Sequence, residues 1–87
     1  VMLTGIVEVN TALKRAIASA RRKLYLPLTM DGCAATSDGN YFIVELDRNG
    51  TASERAKLVA FLKERQLDAE VDGWRVRVYT HRGSARG

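Results

Sequence analysis

The chain has 87 residues, of which 46% are hydrophobic and 28% charged, and a formal net charge of +4. This length allows one domain with a modest core, and this balance excludes a disordered chain. No apolar run approaches the roughly 20 residues needed to cross a bilayer, and the N-terminus lacks the order of a signal peptide. We therefore expect a cytoplasmic protein with no membrane partner.

The positive charge is concentrated in one segment. From Asn10 to Met30 there is no Asp or Glu, whereas the acidic residues gather from Asp31 to Asp72. A stretch of one sign attracts nucleic acid, an acidic protein surface or an anionic membrane surface. The cations of this segment are Lys14, Arg15, Arg21, Arg22 and Lys23.

The first elements in chain order are predicted to be a strand and a helix. Alternation and β-rich composition favour a strand over Leu3 to Val9. A helix follows, capped by Asn10 or Thr11 and running to about Leu24. Its apolar stripe, with Arg15 and Arg22 nearly opposite, consists of Leu13, Ile17, Ala20 and Leu24.

A hairpin and a second helix are predicted next. Pro27 ends the first helix, and a loop is expected through Asp31-Gly32. Two strands, 33–36 and 41–47, are joined by the turn-forming residues 37–40. Thr51 and Glu54 then have the form of a capping box, which starts a helix that ends near Gln66. The apolar residues of this helix are Leu58, Val59, Phe61 and Leu62.

The stretch from Ala69 to Gly83 predicts a second hairpin, with its two-residue turn at Asp72-Gly73. In that register Val71 lies opposite Trp74, and the core face consists of Ala69, Val71, Trp74, Val76 and Val78. Trp74 is accordingly predicted to be buried. The other face consists of Glu70, Arg75, Arg77, Tyr79 and His81. Glu70 opposite Arg75, and Asp68 near Arg77, are alternative local partners for these arginines.

These elements predict an α+β fold in two layers, with an antiparallel sheet covered on one face by two helices. The βαββαβ portion is similar to the ferredoxin-like arrangement, with an added C-terminal hairpin strand. We expect one domain over residues 2–80 and a mobile basic tail over residues 81–87.

The sequence offers little for catalysis. Cys33 and His81 are the only residues of their types, so no disulfide within the chain and no tetrahedral zinc site is expected. Four glycines, Gly32, Gly39, Gly50 and Gly73, fall in turn contexts, and no glycine-rich run has the form of a phosphate loop. We therefore predict a protein that is not an enzyme and has no metal or cofactor.

The favoured hypothesis is a small module that binds nucleic acid without sequence specificity. It would use the cations of the first helix together with Arg75, Arg77 and Tyr79 of the uncovered sheet face. The alternative is a protein-interaction or homodimerisation module that uses Tyr41 and Ile43 of that same face. A solvated sheet face without a partner is a third interpretation of the same residues.

Overall fold

The computed structural model describes residues 5–25, 27–36, 39–46 and 50–80, with the backbone alone for residues 31–36 and 39. The described residues form two helices and four strands. In chain order they are α1 (Ile6–Lys23), β1 (Leu28–Thr36), β2 (Gly39–Leu46), α2 (Ala52–Lys63), β3 (Asp68–Asp72) and β4 (Arg75–Tyr79). The predicted tail over residues 81–87 lies outside the described residues.

The strands of the described residues form one antiparallel sheet in the order β1-β2-β4-β3. The element order is αββ repeated twice, and the second strand of each unit lies at the centre of the sheet. The predicted α+β class with an antiparallel sheet is confirmed. The ferredoxin-like topology is not confirmed, because the described chain begins with a helix and its strand order follows the two hairpins.

The predicted strand over Leu3 to Val9 is wrong for residues 6–9, which are the first turn of α1. Val9 is fully buried and continues the helical stripe of Leu13, Ile17 and Ala20, whereas Val7 is 73% exposed. Burial at helical spacing thus prevails over the strand propensity of valine and isoleucine. Gly5 is the N-cap residue, so the predicted cap at Asn10 or Thr11 is wrong as well.

The core lies between the two helices and one face of the sheet. From α1 it takes the stripe described above, and from α2 it takes Leu58 and Leu62, with Val59 and Phe61 partly buried beside them. The sheet contributes alternate residues of its strands, which are Leu28, Phe42, Val44, Leu46, Ala69, Val76 and Val78. Because these residues alternate along each strand, the intervening side chains lie on the opposite face. No described helix lies over that face, and we call it the uncovered face.

The second helix begins as predicted, although it ends at Lys63 rather than near Gln66. The Thr51 hydroxyl accepts a hydrogen bond from the Glu54 amide at 3.1 Å, and the Glu54 carboxylate accepts one from the Thr51 amide at 2.9 Å. These two bonds are the reciprocal pair of a capping box, and they fix the start of α2.

The predicted loop through Asp31-Gly32 is wrong, because β1 runs through these residues from Leu28. Its register against β2 shifts between Met30 and Cys33, where two residues of β1 lie opposite one of β2. Such a β-bulge adds one residue to a strand without ending it. The strand therefore contains a glycine that the sequence pattern assigns to a turn.

The β3–β4 hairpin forms with a register different from the predicted one. Asp72 pairs with Arg75, so the two turn residues are Gly73 and Trp74 rather than Asp72 and Gly73. Gly73 has φ +64°, which suits glycine at the first central position of a II′ turn. Trp74 lies beyond the last paired row and is 56% exposed. The prediction that it is buried is therefore wrong.

Candidate nucleic-acid interface

The outer surface of α1 carries the most concentrated positive charge of the described residues. At 3.6 residues per turn, four of its cations fall within about 120° of the helix circumference, opposite the buried stripe. All four are exposed, and none forms an ion pair with a described acidic side chain. We call this surface the cationic ridge; it consists of Lys14, Arg15, Arg21 and Arg22.

The ridge has two rows, each with a spacing of seven residues. Lys14 and Arg21 form the row nearer β1, and Arg15 and Arg22 form the other. Seven residues correspond to about 10.5 Å along a helix axis. The small, exposed residues Thr11 and Ala18 lie between the rows. Lys23 is exposed too, but it lies on the far flank of the helix, about 80° from Arg15.

Arg21 also has a structural contact. Its Nη2 and Nε donate to the backbone carbonyl of Leu28 at 2.6 Å and 3.2 Å. This bond joins the last turn of α1 to the beginning of β1. The guanidinium has five N–H donors in total, so further donors remain for another acceptor.

The uncovered sheet face is a connected polar network centred on Arg77. Its Nε donates to Asp72 at 2.7 Å, and its Nη1 donates to the Tyr79 hydroxyl at 3.1 Å. The Tyr79 hydroxyl donates in turn to Glu70 at 3.0 Å. The Arg77 guanidinium lies 4.5 Å from the ring centroid of Tyr41, close enough for a cation–π contact.

The partners predicted for these arginines are wrong in detail. Glu70 lies opposite Arg77, not Arg75, and Asp68 lies opposite Tyr79. The register differs by two residues from the predicted one, which keeps the paired residues of β3 and β4 on their predicted faces but changes their neighbours. Arg75 instead approaches Glu45 of β2 at 3.9 Å.

Tyr79 is nearly inaccessible although it lies on the uncovered face. It is 3% exposed, and its ring centroid is 5.4 Å from that of Tyr41. Burial raises the pKa of Tyr79 above its ordinary value, and the hydrogen bond to Glu70 acts in the same direction. The hydrogen bond to Tyr79 raises the pKa of Arg77, and the contact with Asp72 adds to it. The pair is thus a neutral phenol beside a permanently charged guanidinium.

The residues that the favoured hypothesis combines lie on two different sides of the molecule. The cationic ridge faces outward from the helical layer, whereas Arg75, Arg77 and Tyr79 lie on the far face of the sheet. The full thickness of both layers separates them, about 10 Å or more. One flat footprint on a ligand cannot include both groups.

The interface candidates Tyr41 and Ile43 are half-buried on the uncovered face. They border an open cavity of about 210 Å³ that is also lined by Asp72, Arg75 and Arg77. Its walls are therefore mostly charged.

In the part of the chain that the structure describes, no group of three or more His, Cys, Asp or Glu side chains is placed to hold a metal ion. Nor is any described helix both long and apolar enough to span a bilayer.

Two aromatic residues are exposed although the sequence pattern does not predict their exposure. Trp74 is predicted to lie in the core, and no role is predicted for Tyr25, whose side chain is 87% exposed. A signal for the exposure of Trp74 is present in the sequence, because a Gly-Trp pair fits a II′ turn as well as Asp-Gly fits a I′ turn.

No protein family, curated protein or solved structure was found to match the chain.

Proposed function

We propose that this protein binds nucleic acid without sequence specificity through the cationic ridge of α1. The observation that carries the proposal is the placement of four exposed cations on one arc of a single helix, without acidic partners among the described residues. Such cations bind phosphates and release the counterions condensed on a polyanion, which is the main source of non-specific affinity.

The surroundings of the ridge favour a phosphate backbone over an acidic protein. Thr11 and Ala18 between the two rows provide little apolar area, whereas protein interfaces have aromatic and apolar residues at their centre. Pairs of cations about 10.5 Å apart along the helix reach more than one phosphate of the same ligand. The sequence contains no visible base-reading motif, so no sequence preference is proposed.

The sheet arginines have a secondary place in this proposal. Arg77 donates to Asp72 and Tyr79, and Tyr79 is too buried for its ring to stack on a base. The charge of Arg77 is already paired with the Asp72 carboxylate at 2.7 Å, which weakens its attraction for a phosphate. The ridge cations have no such acidic partner among the described residues.

The first test compares two double variants by fluorescence anisotropy with a labelled 20-nucleotide single strand and its duplex. Arg15→Gln with Arg22→Gln removes one row of the ridge. Lys57→Gln with Lys63→Gln removes the same charge from exposed positions of α2 and serves as the matched control. Loss of two phosphate contacts at 50 mM salt is expected to weaken binding roughly 50- to 200-fold.

The control variant is expected to bind within a few-fold of the parent protein. Equal weakening by the two variants would mean that net charge alone, rather than the ridge, determines affinity. Absence of any anisotropy change with the parent protein at low salt would refute the proposal.

The alternative, a homodimer through the uncovered sheet face, is favoured by the half-buried Tyr41 and Ile43 beside the 210 Å³ cavity. Ile43→Asp places a carboxylate in that face. The dimer hypothesis predicts a parent protein of twice the chain mass by light scattering and a folded, monomeric variant. A parent protein that is monomeric at high concentration would rule it out.

A further inference from the structure

The two exposed aromatic residues lie at the same end of the molecule. Thr29, Glu45, Arg75 and Asp72 are consecutive partners in one row across the sheet. Trp74, in the β3–β4 turn, lies just beyond the β3 and β4 residues of this row. Tyr25 precedes the first residue of β1, Leu28, by three positions, so it lies beyond the β1 residue of the same row. Two to three strand spacings, about 10 to 15 Å, separate β1 from the hairpin of β3 and β4.

Cations lie at this end together with the aromatic rings. The hydrogen bond from Arg21 to the Leu28 carbonyl holds the last turn of α1 beside the row. Arg22 and Lys23, in the same turn, are exposed. Arg75 lies over the Trp74 ring, with its guanidinium carbon 4.7 Å from the ring centroid.

The backbone of Tyr25 has a conformation that is uncommon for a residue other than glycine and that Gln66 shares among the described residues. Tyr25 follows the C-cap residue Leu24 and has φ +56°, a left-handed conformation that costs a non-glycine residue about 1 kcal/mol. Glycine is the usual residue at such a position. A tyrosine that is 87% exposed recovers none of this cost by packing, and strain of this kind is concentrated at functional positions.

We infer that this end of the molecule binds single-stranded nucleic acid, with Trp74 and Tyr25 as stacking platforms for unpaired bases and Arg22 and Lys23 as phosphate contacts. Aromatic rings interspersed with cations are the arrangement by which proteins bind single strands without sequence preference. In a duplex the base faces are already stacked, so Trp74 and Tyr25 favour a single strand. The inference rests on the proposed function and specifies its ligand.

The test uses the emission of Trp74, which is the only tryptophan in the chain. The parent protein is titrated with a 20-nucleotide single strand and, separately, with the duplex of the same sequence. Stacking on a base is expected to quench the emission with the single strand and to leave it nearly unchanged with the duplex. Trp74→Leu is expected to weaken single-strand binding roughly 5- to 150-fold, and Trp74→Phe is expected to restore most of it.

The controls separate this inference from the proposed function. Val71→Ala removes an exposed apolar residue from the same hairpin, where it is 47% exposed, and is expected to bind like the parent. If the single strand binds but leaves the emission unchanged and Trp74→Leu binds normally, the inference is refuted while ridge binding stands. If Val71→Ala weakens binding as much as Trp74→Leu does, the contact is apolar rather than base stacking. If no oligonucleotide binds, both fail.

Discussion

The stability of a Trp74 variant distinguishes a structural role of this turn residue from a binding role. Because it projects from the β3–β4 turn and is 56% exposed, Trp74→Ala is expected to lower the free energy of unfolding by less than about 1 kcal/mol. Leu62, which is fully buried, is the contrast, and Leu62→Ala is expected to cost about 2 to 5 kcal/mol. Thermal or urea unfolding of the two variants measures the difference. Equal losses would place Trp74 back in the core.

Tyr79 makes the stability of the fold sensitive to alkaline pH. Since its pKa is raised in the folded state, the folded protein holds the phenolic proton more tightly than the unfolded chain does. The corresponding stability is present below the ordinary pKa of about 10 and is lost as pH rises through the folded value. Tyr79→Phe removes this titration.

Urea unfolding between pH 8 and pH 11 tests the role of Tyr79. We expect the free energy of unfolding to fall less steeply with pH in Tyr79→Phe than in the parent protein. The variant also leaves Arg77 and Glu70 with one partner fewer, so a loss of about 1 to 2 kcal/mol is expected at neutral pH. Parallel pH profiles would show that burial of the Tyr79 hydroxyl does not affect its titration.

Two valines in the first turn of α1, Val7 and Val9, allow helical and extended structure to be distinguished there. In an extended segment Val7 and Val9 would share one face, whereas in α1 only Val9 is buried. Val9→Ala is therefore expected to cost about 1 to 3 kcal/mol. Val7→Ala should be neutral or slightly stabilising, because alanine is the better helix former. Similar losses in both variants would favour the strand.

Elements whose signals are local could be predicted from the sequence. The capping box at Thr51 and the apolar stripe from Leu13 to Ala20 determine the two helices with few alternatives. The bulge in β1 and the turn at Gly73-Trp74 could not be predicted, because each depends on the partner strand. Asp-Gly and Gly-Trp are both acceptable turns, and only the pairing of Val71 with Val76 selects one of them.

In the candidate site, too, the placement of some residues could be predicted from the sequence and that of others could not. The exposure of the ridge cations follows from helical spacing, so the sequence was sufficient to place them. The environment of Arg77 depends on a cross-strand register that is fixed by tertiary packing. The accessibility of Tyr25 and Trp74 depends on how each connecting segment leaves its element, and no periodic pattern describes that.

At the scale of the whole molecule, the αββαββ order places different chemistry on the two faces. The helical layer presents exposed cations without acidic partners among the described residues, whereas the uncovered sheet face has its arginines beside carboxylates. The exposed aromatic residues lie at one end of the molecule, the end that holds both the last turn of α1 and the β3–β4 turn. A ligand that contacts the ridge and this end follows the axis of α1 and need not cross the sheet face.

The salt dependence of binding tests the central claim most directly. The affinity of the parent protein for a single-stranded oligonucleotide is measured from 50 to 200 mM salt, beside that of the Arg15→Gln, Arg22→Gln double variant. With four ridge contacts, log K is expected to fall against log salt with a slope of about −3, and the slope of the variant should be shallower by about 1.4. A slope near zero, or the same slope in both proteins, would contradict binding through the cationic ridge.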